Sequence, residues 1–299
     1  MAVVECGGIR AAARKLGVSQ PAITRSVRGL EAELRARLLQ RTPTGVVLTE
    51  SGRAFLARAR AAQAELRKAG EEADPLGQSL GSVAFGVGPT AGIIVPDAIN
   101  LFRETFPRTP VHVAEGLPQL LLPLVREGTL DFAICRQALG RPDSALTFRP
   151  LFRNDFAVVA RRGHPLEGAR SLAELADANW VSLLPLESPT NPLNRVFSQA
   201  GLSAPRQVIQ CESYSIAIAL IVETDLLGFL SRQALPESML GDSLRLVHVA
   251  ESMPSFASGI FVRSGTPLTQ VAGEMAKAVA AAAHTLVRSW RDERGPGQA

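Results

Sequence analysis

The stretch Ile9–Glu33, IRAAARKLGVSQPAITRSVRGLEAE, decides the reading of this 299-residue chain. Ile9, Ala12, Ala13 and Leu16 fall at helical spacing and form one apolar stripe. Gly17 directly follows the stripe and is a helix stop. Ser19 stands where an N-cap belongs, because its hydroxyl can accept an orphan backbone N–H. Pro21 falls in the first turn, where a missing N–H costs nothing. The second helix is expected to bury Ile23, Val27 and Leu30 and to turn Gln20, Thr24, Arg25 and Arg28 outward. Two short helices joined by a tight turn, the second polar and basic in its N-terminal half, make a helix-turn-helix. Such a helix fits the major groove, where Gln pairs with adenine, Arg with guanine, and Thr with a thymine methyl or a phosphate. Taken alone, the stretch also suits a plain helical hairpin.

The flanking residues favour the first reading. RTPTGVVLT (Arg41–Thr49) places Pro43 and Gly45 in a turn, then alternates Val46 and Leu48, as in a small two-stranded wing. The next run, TESGRAFLARARAAQAELRKAGEEA, reads as one long helix capped by Thr49 or Ser51. Along it Phe55, Ala59, Ala62, Leu66, Ala69 and Ala73 alternate in steps of four and three, a heptad seam. The seam suits either the chain's own head or a partner helix. Its length and charged outer faces favour a second copy, and a two-fold dimer would present two recognition helices to a roughly palindromic site. At Asp74-Pro75-Leu76-Gly77 the helical pattern stops in a hinge.

Charge divides the chain in the same place. Residues 1–70 hold thirteen Lys plus Arg against five Asp plus Glu, so +8; the whole chain is +4, which leaves −4 for residues 71–299. A basic head on a mildly acidic body is the electrostatic footprint of a nucleic-acid-binding domain joined to something else. Cys6, Cys135 and Cys211 form no CxxC pair, which points to reduced thiols in a cytoplasm and to no zinc site. The apolar segment at the N-terminus is a few residues long and runs into the helix-turn-helix, so no signal peptide is expected. AIALIV and LLLPLV are core-sized and predict no membrane span.

From Gly81 the period changes. SVAFGVG, PVHVAEG and LDFAIC read as strands separated by the helices IIVPDAINLFRETF and LPQLLLPLVREG, the alternation of an open, mostly parallel α/β sheet. LTFRPLFR and DFAVVARRG read as two strands that cross out to a second α/β unit. That unit comprises helix SLAELAD, strand WVSLLP, helix NPLNRVFSQAG, strand PRQVIQC, helix SYSIAIALIVE, and strands LLGFLSR and LRLVHVA. SGIFVRSG reads as the return, followed by a final helix from Pro267 to about Arg291 and a tail after Arg294.

Leu16-Gly17-Val18-Ser19-Gln20-Pro21-Ala22-Ile23-Thr24-Arg25-Ser26-Val27-Arg28-Gly29-Leu30-Glu31 and the wing Arg41 to Gly52 closely resemble the winged helix-turn-helix of LysR-type transcriptional regulators. The body resembles that family in Leu121 to Ile134, in Pro150 to Leu166 and at Cys211-Glu212-Ser213. The resemblance implies an all-α head joined to an α/β body: a winged helix-turn-helix, a long linker helix, and a two-lobed, periplasmic-binding-protein-like effector domain. The expected divisions are a DNA-binding domain over 1–50, a linker and dimerisation helix over 51–74, and a hinge over 75–80. Lobe I is expected over 81–157 and 264–294, and lobe II over 158–263. Relatives carry a full first helix before the segment that begins here Met1-Ala2-Val3-Val4-Glu5, so the head is expected either to be trimmed or to start from an earlier codon.

The resemblance assigns DNA contacts to Ser19, Gln20, Pro21, Thr24, Arg25, Arg28 and Arg41, the last at a phosphate or in the minor groove. At the wing tip Thr44 stands where many relatives carry a basic residue. It assigns pairing of protomers to Phe55, Ala59, Ala62, Leu66 and Ala69. An effector, by default a small organic or aromatic acid, is expected in the cleft between lobes at the carboxyl ends of strands. Candidates there are Gly88, Pro89, Thr90, Arg136, Ser188, Thr190 and Ser213, with Pro189 in the same loop. Thr90 is expected to open a helix, where its hydroxyl and neighbouring N–H groups suit an anion; a plain cap accounts for it equally. Arg136 suits a carboxylate or sulfonate, and equally a solvated loop. Expected partners are operator DNA, a small-molecule effector, further copies of the chain in a homodimer or homotetramer, and RNA polymerase, with no membrane.

Enzymatic readings fail on the residues. His112, His164, His248 and His284 join no nucleophile elbow, and there is no P-loop. GVGPTAG would be a dinucleotide fingerprint only with glycine at 91, where Ala91 stands. No cofactor or metal is called for. A solute-binding receptor built on the body alone would need a leader and no basic head.

Overall fold

The computed structural model describes residues 1–42, 45–72, 81–137, 143–188, 190–235, 240 and 242–294. The wing tip Pro43-Thr44, Ala73, the hinge over 75–80, Pro189 and the tail after Arg294 lie outside the described residues, as does the side chain of Arg41. The described residues fall into two compact units, one of residues 1–72 with 126–129 and the other of residues 81–125 and from 130 onward.

The first unit holds α1 (Ala2–Glu5), α2 (Ile9–Leu16), α3 (Gln20–Glu33), strands β1 (Leu39–Thr42) and β2 (Gly45–Leu48), and α4 (Glu50–Glu72). Gly17 ends α2 in the left-handed conformation, φ 66°, that glycine adopts without strain. Ser19 caps α3, its Oγ accepting from the Ala22 N–H at 3.4 Å. Thr49 caps α4, accepting from the Gly52 N–H at 2.9 Å. The wing is antiparallel, with Leu39 opposite Leu48 and Thr42 opposite Gly45. Glu31 fixes it to α3: its carboxylate accepts from the N–H groups of Leu38 and Leu39 at 2.7 and 3.1 Å.

Two apolar expectations need correction here. Ala12 and Ala13 are buried, but Leu16 is 53 % exposed, because α2 ends there and its side chain projects past the hairpin. Ile23, Val27 and Leu30 are half-buried, not buried. Val27 and Leu30 face a cavity of about 210 Å³ bounded also by Val3, Leu38, Leu48, Phe55 and Ala59, so the space over α3 is incompletely filled.

The second unit is one continuous sheet in two lobes. Lobe I begins with β3 (Val83–Val87), a 3₁₀ turn over Pro89–Ile94 and α5 (Val95–Thr105). It continues with β4 (Val111–Glu115), α6 (Pro118–Arg126) and β5 (Phe132–Arg136). The long strand β6 (Leu146–Arg161) then crosses into lobe II. Lobe II holds β7 (Asn179–Ser182), α7 (Pro192–Gln199), β8 (Gln207–Gln210), α8 (Tyr214–Glu223), β9 (Leu226–Ser231) and β10 (Leu244–Val247). β11 (Ser255–Arg263) returns to lobe I, and α9 (Gln270–Arg294) closes it. Strand order is β4-β3-β5-β11-β6-β9-β7-β8, with β10 also on β6. Parallel pairs sit within each lobe and antiparallel pairs where the chain crosses.

Three expectations change. LTFRPLFR and DFAVVARRG are one strand, because Pro150 falls where the β6–β11 register shifts and a missing N–H is tolerated. SLAELAD makes a single 3₁₀ turn over Ala173–Leu175, since the Trp180 indole N–H donates to the Leu175 carbonyl and holds that end. The span 158–263 does not belong to one lobe. β11 pairs along its length with β5 and the first part of β6, so residues 255–263 lie in the sheet of lobe I. The lobe I core packs Phe85, Phe102 and Phe132 under Met275 and Val279 of α9; the lobe II core is centred on Trp180, Phe197 and Leu227.

Candidate DNA-reading face and ligand cleft

The helical period of α3 brings Gln20, Pro21, Thr24, Arg25, Arg28 and Gly29 around one surface depression. All are exposed except Thr24, which is half-buried and donates its hydroxyl proton to the Gln20 carbonyl at 3.0 Å. Ser19 is exposed and acts as the helix cap. Five of the seven DNA candidates therefore share one cationic face. α4 divides its seam. Phe55 and Ala59 border the cavity of the head, whereas Ala62 and Ala69 are exposed and Leu66 is 76 % exposed.

The second unit has a cleft between its lobes. Gly88, Pro89, Thr90, Cys135 and Arg136 wall it from lobe I, at the carboxyl ends of β3 and β5. Ser182, Leu184, Tyr214 and Ser231 wall it from lobe II, at the ends of β7 and β9 and the start of α8. The aromatic side is Phe156, Phe229 and Phe256: Phe156 stacks on Phe229 at 5.0 Å and tilts on Phe256 at 4.7 Å. Gly88 is required by close approach, since a Cβ there would sit 2.9 Å from the Cβ of Cys135.

Arg136 ends β5 half-buried in this wall, and among the described residues no carboxylate pairs with it. Burial lowers the pKa of its guanidinium, which nonetheless stays charged in water. The same burial pushes the adjacent Cys135 thiol up to about 12, outweighing the Arg136 charge. Cys135 is therefore an inert thiol. Tyr214 is also shifted upward, first by burial and then by the charge of Glu115.

The structure brings four of the seven effector candidates together and leaves three apart. Thr90 lies in the cleft but does not cap a helix; Gly88 holds that position, and the Thr90 hydroxyl meets the Ser258 hydroxyl at 3.2 Å. Ser188, Thr190 and Ser213 are not among the residues that wall the cleft. Ser188 and Thr190 bond each other at 3.0 Å in the turn before α7. Ser213 caps α8, accepting from the Ile216 N–H at 3.4 Å. Ser182, Ser231 and the three phenylalanines were not expected; the two serines are the last residues of their strands, a position where α/β ligands are met. His164 is structural, its Nδ1 accepting from the Leu166 N–H at 3.0 Å. Among the described residues no His, Cys, Asp or Glu cluster suits a metal, and no helix is long and apolar enough to cross a membrane.

A helix-turn-helix with an exposed basic recognition face, joined to a two-lobed body with a strand-end cleft, defines a DNA-binding regulator carrying a ligand-binding domain. Residues 77–283 match the LysR substrate binding domain, and residues 1–53 match the bacterial regulatory helix-turn-helix protein of the lysR family. The chain belongs to the LysR family of transcriptional regulators. It is 30 % identical over 295 residues to the HTH-type transcriptional regulator GbpR of Azospirillum brasilense, covering 96 % of this chain and 86 % of GbpR. It is 31 % identical over 181 residues to the regulator TdcA of Escherichia coli, a match that spans 60 % of this chain and 58 % of TdcA. In structure it resembles ArgP of Mycobacterium tuberculosis, with TM-score 0.68, 19 % identity and 94 % of both chains covered.

Proposed function

We propose that this chain is a cytoplasmic, acid-responsive regulator. In this reading the α3 face binds operator DNA, the cleft takes a small organic or aromatic acid, and copies of the chain pair through α4. RNA polymerase is the further partner at the promoter. The observation that carries the reading is Arg136: a half-buried guanidinium at a strand end, without a described acid partner, as the charged side chain in the cleft wall. A charge so placed has lost part of its hydration, and an incoming carboxylate or sulfonate supplies the missing bidentate partner. Phe156, Phe229 and Phe256 offer the rest of such a ligand an apolar surface. Gly88, Pro89 and Thr90 complete the anion side. The exposed Ala62, Leu66 and Ala69 supply an apolar seam for a second copy.

The test is a gel-shift titration at two salt concentrations on DNA from immediately upstream of the coding region, with and without a panel of organic acids. Wild type should prefer this DNA to random duplex and change its affinity or footprint with one acid of the panel. Arg25→Ala should weaken binding and reduce the salt slope by about one. Arg136→Ala should bind DNA and ignore the acid. Wild-type affinity in Arg25→Ala at moderate salt would remove α3 from the interface. A normal acid response in Arg136→Ala would place the effector elsewhere.

A further inference from the structure

The direction of hydrogen bonds makes the two walls of the cleft chemically opposite. On lobe II, Ser182, Tyr214 and Ser231 reach the wall, and each hydroxyl proton is directed into the protein. Ser182 donates to the Leu184 carbonyl at 2.7 Å and accepts from the Leu184 N–H and the Asn191 amide, so it has no capacity left. Tyr214 donates to the Ala234 carbonyl at 3.2 Å. Ser231 donates to Asn154 Oδ1 at 3.2 Å, with Gln233 Oε1 a second acceptor at 3.5 Å. The Gln233 amide cannot be reversed: the Asp155 N–H only donates and meets Oε1 at 2.9 Å, while the Asp155 carboxylate only accepts and meets Nε2 at 3.1 Å. Tyr214 and Ser231 thus offer a ligand lone pairs and no proton.

Lobe I is the reverse. Arg136 is a donor only. The Asn154 amide donates to Ser258 Oγ at 2.8 Å, and the Ser258 and Thr90 hydroxyls meet at 3.2 Å, where either can be the donor. Asn154 and Ser258 are both fully buried, and Asn154 lies on β6 where the chain passes between lobes. The fixed donor of the lobe I wall is therefore Arg136, and the Thr90 hydroxyl beside it can donate or accept.

We propose that the effector is an acid that also carries a hydroxyl or amino donor: its carboxylate meets Arg136 and Thr90, and its donor meets the lone pairs of Ser231 and Tyr214. This rests on the acid-binding reading above and narrows it. An acid without the donor makes hydrogen bonds to lobe I alone, whereas a hydroxy or amino acid makes them to both lobes.

The test uses matched sets: benzoate, meta-hydroxybenzoate, meta-aminobenzoate and meta-methoxybenzoate, with butyrate, β-hydroxybutyrate, β-aminobutyrate and β-methoxybutyrate as the aliphatic counterparts. Binding to the full chain is read by calorimetry. In the set that fits, the hydroxy or amino acid should bind roughly five- to tenfold tighter than the plain acid, the effect of one net hydrogen bond. The methoxy acid, similar in size but without a donor, should gain nothing. In Ser231→Ala the ratio of hydroxy to methoxy binding should fall toward one. Because the wild-type ratio is decisive by itself, a variant that fails to fold leaves the test intact. Acids that bind at Arg136 without distinguishing hydroxy from methoxy would overturn this inference and leave the acid reading standing. Failure of every acid to bind would overturn both.

Discussion

Two glycines on α4 should respond to alanine with opposite signs. In a helix, alanine is more stable than glycine by about 1 kcal/mol. Gly70 sits in open space, with nothing within 4 Å of an added Cβ, so Gly70→Ala should gain most of that amount. At Gly52 the added Cβ would lie 2.0 Å from the carbonyl oxygen and 2.9 Å from the carbonyl carbon of Leu38, both backbone atoms. The oxygen must retreat by roughly 1 Å or more before even a tight contact is possible. It is not free to do so. It accepts from the Thr49 N–H at 3.0 Å, and the Leu38 N–H is held by Glu31 at 2.7 Å. Overpacking of this kind costs typically about 1–3 kcal/mol, and each loosened hydrogen bond adds about 1 kcal/mol. Against the helical gain, Gly52→Ala should lose about 2 kcal/mol net. For a cooperative unit the size of the head, that is a fall in Tm of roughly 8–16 °C. Calorimetry of the full chain should show the head transition move down in Gly52→Ala and slightly up in Gly70→Ala, with the body transition unmoved. Equal shifts of the same sign would show that propensity alone governs α4 and refute the close-approach argument.

Other perturbations have equally definite outcomes. Glu31→Ala should destabilise the head by about 1.5–3 kcal/mol through loss of a charged acceptor for two backbone N–H groups, and Glu31→Gln should recover most of it; chemical denaturation of the two variants separates them. Trp180 is fully buried, stands edge-on to Phe197 at 5.7 Å and donates to Leu175, so Trp180→Ala should cost about 3–5 kcal/mol in the body transition and leave the head transition in place. At pH 8, iodoacetamide should label the half-buried Cys6 and Cys211 first and reach Cys135 only in denaturant, because that thiol is buried and titrates near 12; early labelling of Cys135 by peptide mass mapping would contradict its placement.

The head was legible because its signals are local. Gly17 as a stop, Ser19 and Thr49 as caps and the Val46/Leu48 alternation act within a few residues of themselves, and each appears where the spacing put it. The cleft was legible in part. Gly88, Pro89, Thr90 and Arg136 follow strands that the pattern marks, and strand ends are where a ligand is met. Ser188, Thr190 and Ser213 lie outside the lining of the cleft, because a hydroxyl near a helix start looks the same in sequence whether it faces a cleft or its own turn.

The sequence by itself determined the head's helix order, the α/β alternation of the body and the exposed basic face of α3. These depend on period, caps and charge, which operate over one or two turns. Tertiary structure alone decided that 146–161 is a single strand and that β11 belongs to lobe I. Those outcomes are set by pairing between residues about a hundred positions apart. It also decided that the Ser182, Tyr214 and Ser231 hydroxyls donate into the protein. A hydroxyl can do either, and its direction follows from partners such as Asn154, Ser258 and Asp155 that meet only when the two lobes are folded together.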